Sequence, residues 1–259
     1  MFSKKMLTED IEKMGLCPSD AVMIHSSMKA IGEVENGADT VVDTLMEYFK
    51  NGLLMMPAHT WAQMGKEHRI FEPQTEKSCV GIIPEIFRQR KGVVRSLHPT
   101  HSMAVFGNKA EEYVKGEEQC TTPCTPGGCW DRLKDVRAKI LLVGVTHARN
   151  TFIHAVEENF CVPERFTKEP EQFFIRMPDG TLKETFVYRH FNPNTAHISE
   201  SYDKLTEAFY ETKAARKGYL GNAECILCDA QAVYDVTGRI ISHELNCLMD
   251  RDVIPKEWW

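Results

Sequence analysis

The chain has 259 residues, 42% of them hydrophobic and 26% charged, and a formal net charge of −6. That is apolar material for one large domain or two small ones, and the lack of any basic run excludes nucleic acid as the main partner. No stretch approaches the ~20 apolar residues of a membrane span, and Met1-Phe2-Ser3-Lys4-Lys5-Met6 leads into charged residues without a signal-peptide core, so the sequence reads as a cytoplasmic protein with no membrane partner.

In chain order, Ala21 to His25 is a short apolar run that reads as a buried strand. Ala38 to Phe49 carries apolar residues at 41, 42, 45, 46 and 49, the spacing of one helix face. Asn51-Gly52 stops that helix, and Leu53 to Pro57 is a second strand closed by proline. Gly81 to Arg90 reads as a helix, Ser102 to Phe106 as a strand and Lys109 to Val114 as a short helix. Cys120 to Gly128, rich in Thr, Pro and Gly, is a loop, and Trp130 to Val136 is helical. Lys139 to Val145 is the clearest strand, followed by a polar loop from Thr146 to Arg149 and a helix capped by Asn150 or Thr151.

Further on, Gln172 to Met177 and Lys183 to Tyr188 flank Pro178-Asp179-Gly180, the turn chemistry of a hairpin. A long helix is expected from about Glu200 to Arg216, then one strand over 219–227 and another helix. Alternating strands and helices predict an α/β fold with a largely parallel central sheet flanked by helices, and an antiparallel hairpin in the C-terminal third. One domain over 1–259 accounts for this order, with the part from about 166 as an optional subdomain.

Nine cysteines, an odd number, argue against a disulfide framework. Cys120, Cys124 and Cys129 lack the short spacing of zinc hooks, and Cys225-Ile226-Leu227-Cys228 reads as a strand end, so free thiols are expected rather than a metal.

Open α/β sheets bind ligands at the carboxyl ends of their strands. Polar clusters follow three such ends: His25-Ser26-Ser27, Pro57-Ala58-His59-Thr60-Trp61 and Thr146-His147-Ala148-Arg149-Asn150. A fourth, Arg95 to Ser102, precedes the strand at 102. Seven of the ten histidines (25, 59, 98, 101, 147, 154 and 190) fall in or beside these segments. His154 lies one turn into its helix, where the positive end of the dipole disfavours protonation and leaves a proton acceptor. Glu157, three residues on, shares that helix face and can orient the ring.

Three blocks then carry a resemblance. They are His25-Ser26-Ser27-Met28-Lys29-Ala30-Ile31-Gly32 with Gly37 to Val42; Met55-Met56-Pro57 with Arg95 to Ser102; and Leu141 to Glu157. In order and separation, from about residue 8 to about 165, they resemble the aminoglycoside 3-N-acetyltransferases. The resemblance implies an α/β fold distinct from the common acetyltransferase superfamily, acetyl-CoA as co-substrate, an amine as acceptor with the 3-amino group of an aminoglycoside as one candidate, and a histidine base paired with acidic residues. It carries the catalytic roles onto His154 and Glu157. It lays the pantetheine arm of coenzyme A against His25, Ser26, Ser27 and Met28 and near His98, Thr100, His101 and Ser102. Arg95 is added from its charge as a phosphate contact, and Thr146, Glu158 and His190 as acceptor contacts. No metal is expected, and a homodimer is compatible with the reading.

One stretch departs from the family. Antibiotic-modifying members carry an acidic residue after the hairpin, whereas Tyr188-Arg189-His190-Phe191-Asn192-Pro193-Asn194 has none, and Arg189 there would repel a polycation. Backbone N–H groups near Ser26 and Ser27, or a side-chain hydroxyl, are the expected oxyanion donors. Two other readings stay open. A metal-dependent hydrolase would use His98 and His101 with His59 and His147, and a non-catalytic protein of the same fold would bind coenzyme A without turning it over. A ping-pong route through Cys124 or Cys129 is a further chemical option.

Overall fold

The computed structural model describes residues 1–191 and 197–259. Helix α1 (Lys4–Lys13) precedes strand β1 (Ala21–Ser26), and the short α2 (Met28–Ile31) leads to α3 (Ala38–Tyr48) and β2 (Leu53–Pro57). Then come β3 (Ile70–Phe71), α4 (Ile82–Arg88), β4 (Val94–Arg95), β5 (Met103–Gly107), α5 (Ala110–Val114), α6 (Arg132–Asp135), β6 (Lys139–Val143) and α7 (Phe152–Asn159). The remainder holds β7 (Glu171–Arg176), β8 (Leu182–Val187), α8 (Thr206–Glu211), β9 (Ala215–Leu220), β10 (Ala223–Asp229), α9 (Ala230–His243) and α10 (Cys247–Asp250).

Seven strands form one sheet in the order β4-β5-β2-β1-β6-β10-β9. Its centre, β2-β1-β6, is parallel, with Met23 opposite both Met55 and Ile140. The two strands on each side of that centre join antiparallel. The central strands are continuous apolar runs because both their faces are covered. Val22, Ile24, Leu141 and Val143 face the layer built from α1, α3 and α4, while Met23, Ile140 and Leu142 face that of α7, α8 and α9. Cys225 and Cys228 of β10 fall in opposite layers, so this C-x-x-C straddles the sheet and cannot chelate one ion.

A second sheet, β3-β7-β8, contains the expected hairpin and packs Phe71, Phe173, Ile175 and Val187 around Met64. No helix among the described residues is long and apolar enough to cross a membrane.

Two expectations need correction. The long helix over 200–216 is instead a 3-10 segment, Ile198–Leu205, followed by α8, which stops at Glu211. Lys213 takes a positive φ of 62° and turns the chain into β9. Ala214 to Lys217 are good helix formers, but pairing of Ala215 with Cys228 overrides that preference. The single strand over 219–227 is a hairpin, β9 and β10, whose two-residue turn uses Gly221 at φ 59° and Asn222.

Candidate active site

The carboxyl ends of β1 and β2 and the start of α7 open onto one cleft of about 940 Å3. His25, Ser26, His59, His101, His154 and His190 lie on its wall. Two smaller hollows, of about 520 and 400 Å3, lie elsewhere and hold none of these side chains. Trp130, wholly buried, supports the wall: its Nε1 donates to the His101 carbonyl at 2.8 Å, and His25 and His59 pack on its ring at 6.0 and 5.2 Å. Nothing in the sequence around Trp130 marks it for this role.

A 3-10 turn, His147–Arg149, runs into α7. Thr151 holds the N-cap position but its side chain does not cap; its hydroxyl lies 3.3 Å from His59 Nε2. His154 therefore sits in the first turn of α7, near the positive end of the helix dipole.

Behind His154 runs a buried chain of polar contacts. The Tyr202 hydroxyl lies 2.5 Å from His154 Nδ1 and donates to Glu157 Oε2. Arg165 Nε donates to the other carboxylate oxygen, Oε1, at 2.8 Å. His154 Nδ1 is 3.6 Å from Glu157 Oε2, too far for a direct hydrogen bond. The expected direct orientation of the ring by Glu157 is thus corrected to an indirect one through Tyr202. Burial raises the Tyr202 pKa well above 10, and the Glu157 charge adds to that, so the phenol keeps its proton. A phenol has one hydrogen. Given to Glu157, it leaves Tyr202 an acceptor for an N–H at His154 Nδ1, and the lone pair of the imidazole then falls on Nε2.

Burial would push the Glu157 carboxyl up, but His154, Arg165 and Tyr202 together outweigh it and hold the pKa below the usual range. Burial, reinforced by His190 stacked at 4.0 Å, lowers the His154 pKa to about 4 although Glu157 pulls the other way. Burial likewise takes His25 to about 3, His98 and His147 to about 4, and His59 and His101 well below the ordinary value.

These six neutral histidines make stability depend on pH. In the unfolded chain each titrates near ~6.5. Their folded pKa values are depressed, so the unfolded chain binds more protons below that pH, and stability falls as pH drops from about 6.5 towards 4. Thermal melts from pH 7.5 to 5 should show Tm falling steadily over the acidic half; a Tm that is flat or rises there would contradict neutral burial.

Several residues expected at the site serve the scaffold instead. Arg95 donates to Ser102 Oγ and to the carbonyls of Pro73, Glu76 and Ala58, and its guanidinium lies over the Phe71 ring. It is off the cleft wall, and four of its five N–H donors are engaged by the scaffold, which leaves little for a phosphate. Ser102 in turn donates to the Ala58 carbonyl. His98 accepts the Thr100 and His101 backbone N–H groups at Nδ1, and its Nε2 lies 3.1 Å from the Thr122 carbonyl. Thr100 Oγ1 lies 2.9 Å from His101 Nδ1. Ser27 caps α2 and its N–H donates to the Val143 carbonyl, so that N–H is no oxyanion donor. Met28 packs against the core on the α3 side of the sheet, and Thr146 is an exposed, extended loop residue off the cleft wall.

Glu158 is buried behind the wall. It accepts from the Thr122 hydroxyl and the Cys124 N–H, with His190 Nε2 at 3.3 Å. Arg189 is on the wall, pinned to the Trp61 and Met64 carbonyls and paired with Glu171 at 3.2 Å. Asn192 to Asn194 of the departing stretch lie outside the described residues.

The set His98, His101, His59 and His147 does not gather around one point. Among the described residues, the one grouping with ligand atoms within 4.8 Å of one another is Cys124, Glu158 and His190. All nine cysteines are free.

The sequence matches the family model of the aminoglycoside 3-N-acetyltransferases over residues 23–242. Aminoglycoside N(3)-acetyltransferase III of Salmonella sp is 26% identical over 255 residues, covering 90% of this chain and 89% of that relative. Among solved structures, aminoglycoside acetyltransferase AAC(3)-Xa superposes with a TM-score of 0.83 at 24% identity over 94% of both chains. AAC-IIIb, solved as a binary complex with CoASH, gives 0.79 at 20% identity over 92% of this chain and 95% of that one. The chain is accordingly an α/β acyltransferase with acetyl-CoA as its co-substrate. It belongs to the aminoglycoside 3-N-acetyltransferase family.

Proposed function

We propose that this enzyme moves the acetyl group directly from acetyl-CoA to an amine held in the cleft, with His154 as general base. The observation that carries this is the contact between Tyr202 Oη and His154 Nδ1, which leaves Nε2 as the basic nitrogen of a cleft-lining ring. In the step, His154 takes a proton from the acceptor nitrogen, that nitrogen bonds to the thioester carbon, and the carbon–sulfur bond breaks to release coenzyme A as thiolate. The imidazolium is steadied through Tyr202 by the Glu157 carboxylate, and its proton can then pass to the thiolate. Ser26 is on the wall with a hydroxyl that has no partner among the described residues, and is the candidate we favour for the oxyanion. His25 and His101 would border the pantetheine arm.

Direct transfer is favoured over a cysteine intermediate. Cys124 and Cys129 are buried off the cleft wall, and burial holds both thiols well above their ordinary pKa. The intact chain from His154 to Arg165 favours catalysis over passive binding. The Salmonella relative's name supports aminoglycoside amines as reference acceptors. We treat residues 1–259 as one domain, because β9 and β10 complete the sheet that β1, β2 and β6 begin. Nine free thiols fit a reducing compartment and so a cytoplasmic location.

Thiol release from acetyl-CoA, dependent on an added amine, tests the reading; its absence while coenzyme A still binds would contradict it. Tyr202→Phe should lower kcat about tenfold, the loss of one charge-assisted hydrogen bond, with KM for acetyl-CoA little changed. A structural role alone would lower stability and leave kcat per folded enzyme intact.

A further inference from the structure

The chain carries a net charge of −6, yet among the described residues no Asp or Glu lines the cleft. Residues 192–196, Asn-Pro-Asn-Thr-Ala, contain no charged side chain either. The nearby carboxylates are engaged elsewhere: Glu157 with Tyr202 and Arg165, Glu158 with Thr122, Cys124 and His190, Glu171 with Arg189, and Asp203 with the Ala148 N–H. Burial keeps His25, His59, His101 and His154 neutral. What the wall does offer is two guanidiniums, Arg149 and Arg189, and two partly exposed aromatic rings, Trp61 and Phe191. Arg189 is pinned and opposed by Glu171, so the exposed Arg149 is the cation placed to meet a ligand.

We infer that the acceptor is a monoamine bearing one anionic group on an apolar or aromatic body, and that a polycationic aminoglycoside is a poor substrate. The inference rests on the proposed acetyl transfer and narrows it. Each extra ammonium of a polycation would lose water and find no carboxylate on this wall in return. A single reacting amine fares differently. A neutral to positive wall lowers its pKa and favours the unprotonated, nucleophilic form. A carboxylate on the same molecule can pair with Arg149 in a bidentate fork while its body packs on Trp61 or Phe191.

The phosphates of coenzyme A share this anion chemistry, so the test separates donor from acceptor. The full-length enzyme and acetyl-CoA are assayed by thiol release with 4-(aminomethyl)benzoate, 1,4-bis(aminomethyl)benzene and gentamicin. The first two differ only in a carboxylate against a second ammonium-bearing arm. We expect kcat/KM for the benzoate to exceed that of the diamine and of gentamicin by about tenfold or more, the worth of one charge-assisted contact. Arg149→Ala should reduce that preference about tenfold without changing KM for acetyl-CoA. Equal or faster turnover of the diamine or gentamicin overturns the inference and leaves acetyl transfer standing. A raised KM for acetyl-CoA in Arg149→Ala gives the arginine to the donor and overturns its assignment here. No thiol release with any of the three overturns the transfer reading and this inference with it.

Discussion

His154→Ala is expected to lower kcat by about 10²–10⁴-fold, the usual contribution of a positioned general base, while coenzyme A binding by isothermal titration stays within about threefold. The imidazole is buried and neutral, with a pKa near 4, and Tyr202 occupies its Nδ1. Removing it deletes the group that receives the acceptor's proton and little of the wall that would hold the donor. In the wild-type enzyme His154 would become protonated only near pH 4, so an acidic limb of kcat/KM at higher pH would report the acceptor amine instead. Lost coenzyme A binding with turnover intact would move His154 from the chemistry to the donor site.

The second large effect is on stability. Glu157 and Arg165 are both buried, 1% and 2% exposed, and joined at 2.8 Å. Arg165 has a further nitrogen, Nη2, buried without a partner among the described residues, so it leans on this one carboxylate. Glu157→Ala would leave a guanidinium uncompensated in the core, which costs about 3–5 kcal/mol. Guanidinium unfolding should show that loss in the midpoint. The double variant Glu157→Gln, Arg165→Met should recover much of it while kcat stays low, because Tyr202 no longer has a charged partner. A single variant within about 1 kcal/mol of wild type would mean that the pair is solvated.

Much of the fold was legible because the central strands are buried on both faces. Leu53 to Met56 and Ile140 to Val143 are unbroken apolar runs, and such runs bounded by Gly or Pro leave few alternatives. The first helix was missed although Ser3 caps it and Leu7 and Ile11 sit one turn apart in the core; among charged neighbours its apolar stripe is thin. The hairpin of β9 and β10 was hidden for a different reason, since local helix preference lost to pairing between strands.

At the site, chemistry clustered in sequence was easier to see than chemistry assembled in space. His154 and Glu157 share a helix turn, but Tyr202 comes from a 3-10 segment 45 residues beyond Glu157, and nothing local marks it. Arg95 misled because a guanidinium's charge is visible in sequence and its hydrogen-bond partners, the Ser102 hydroxyl and three carbonyls from distant segments, are not. The lack of carboxylates on the cleft wall among the described residues shows only once seven separate segments are folded around it.

A crystal structure of the wild-type enzyme with coenzyme A and an acceptor amine bound together tests the account most directly. His154 Nε2 should lie within hydrogen-bond reach of the acceptor nitrogen, roughly 2.6–3.2 Å, with that nitrogen about 3–3.5 Å from where the thioester carbon would sit. A coenzyme thiol outside this cleft, or an acceptor whose nitrogen faces away from His154, would contradict it.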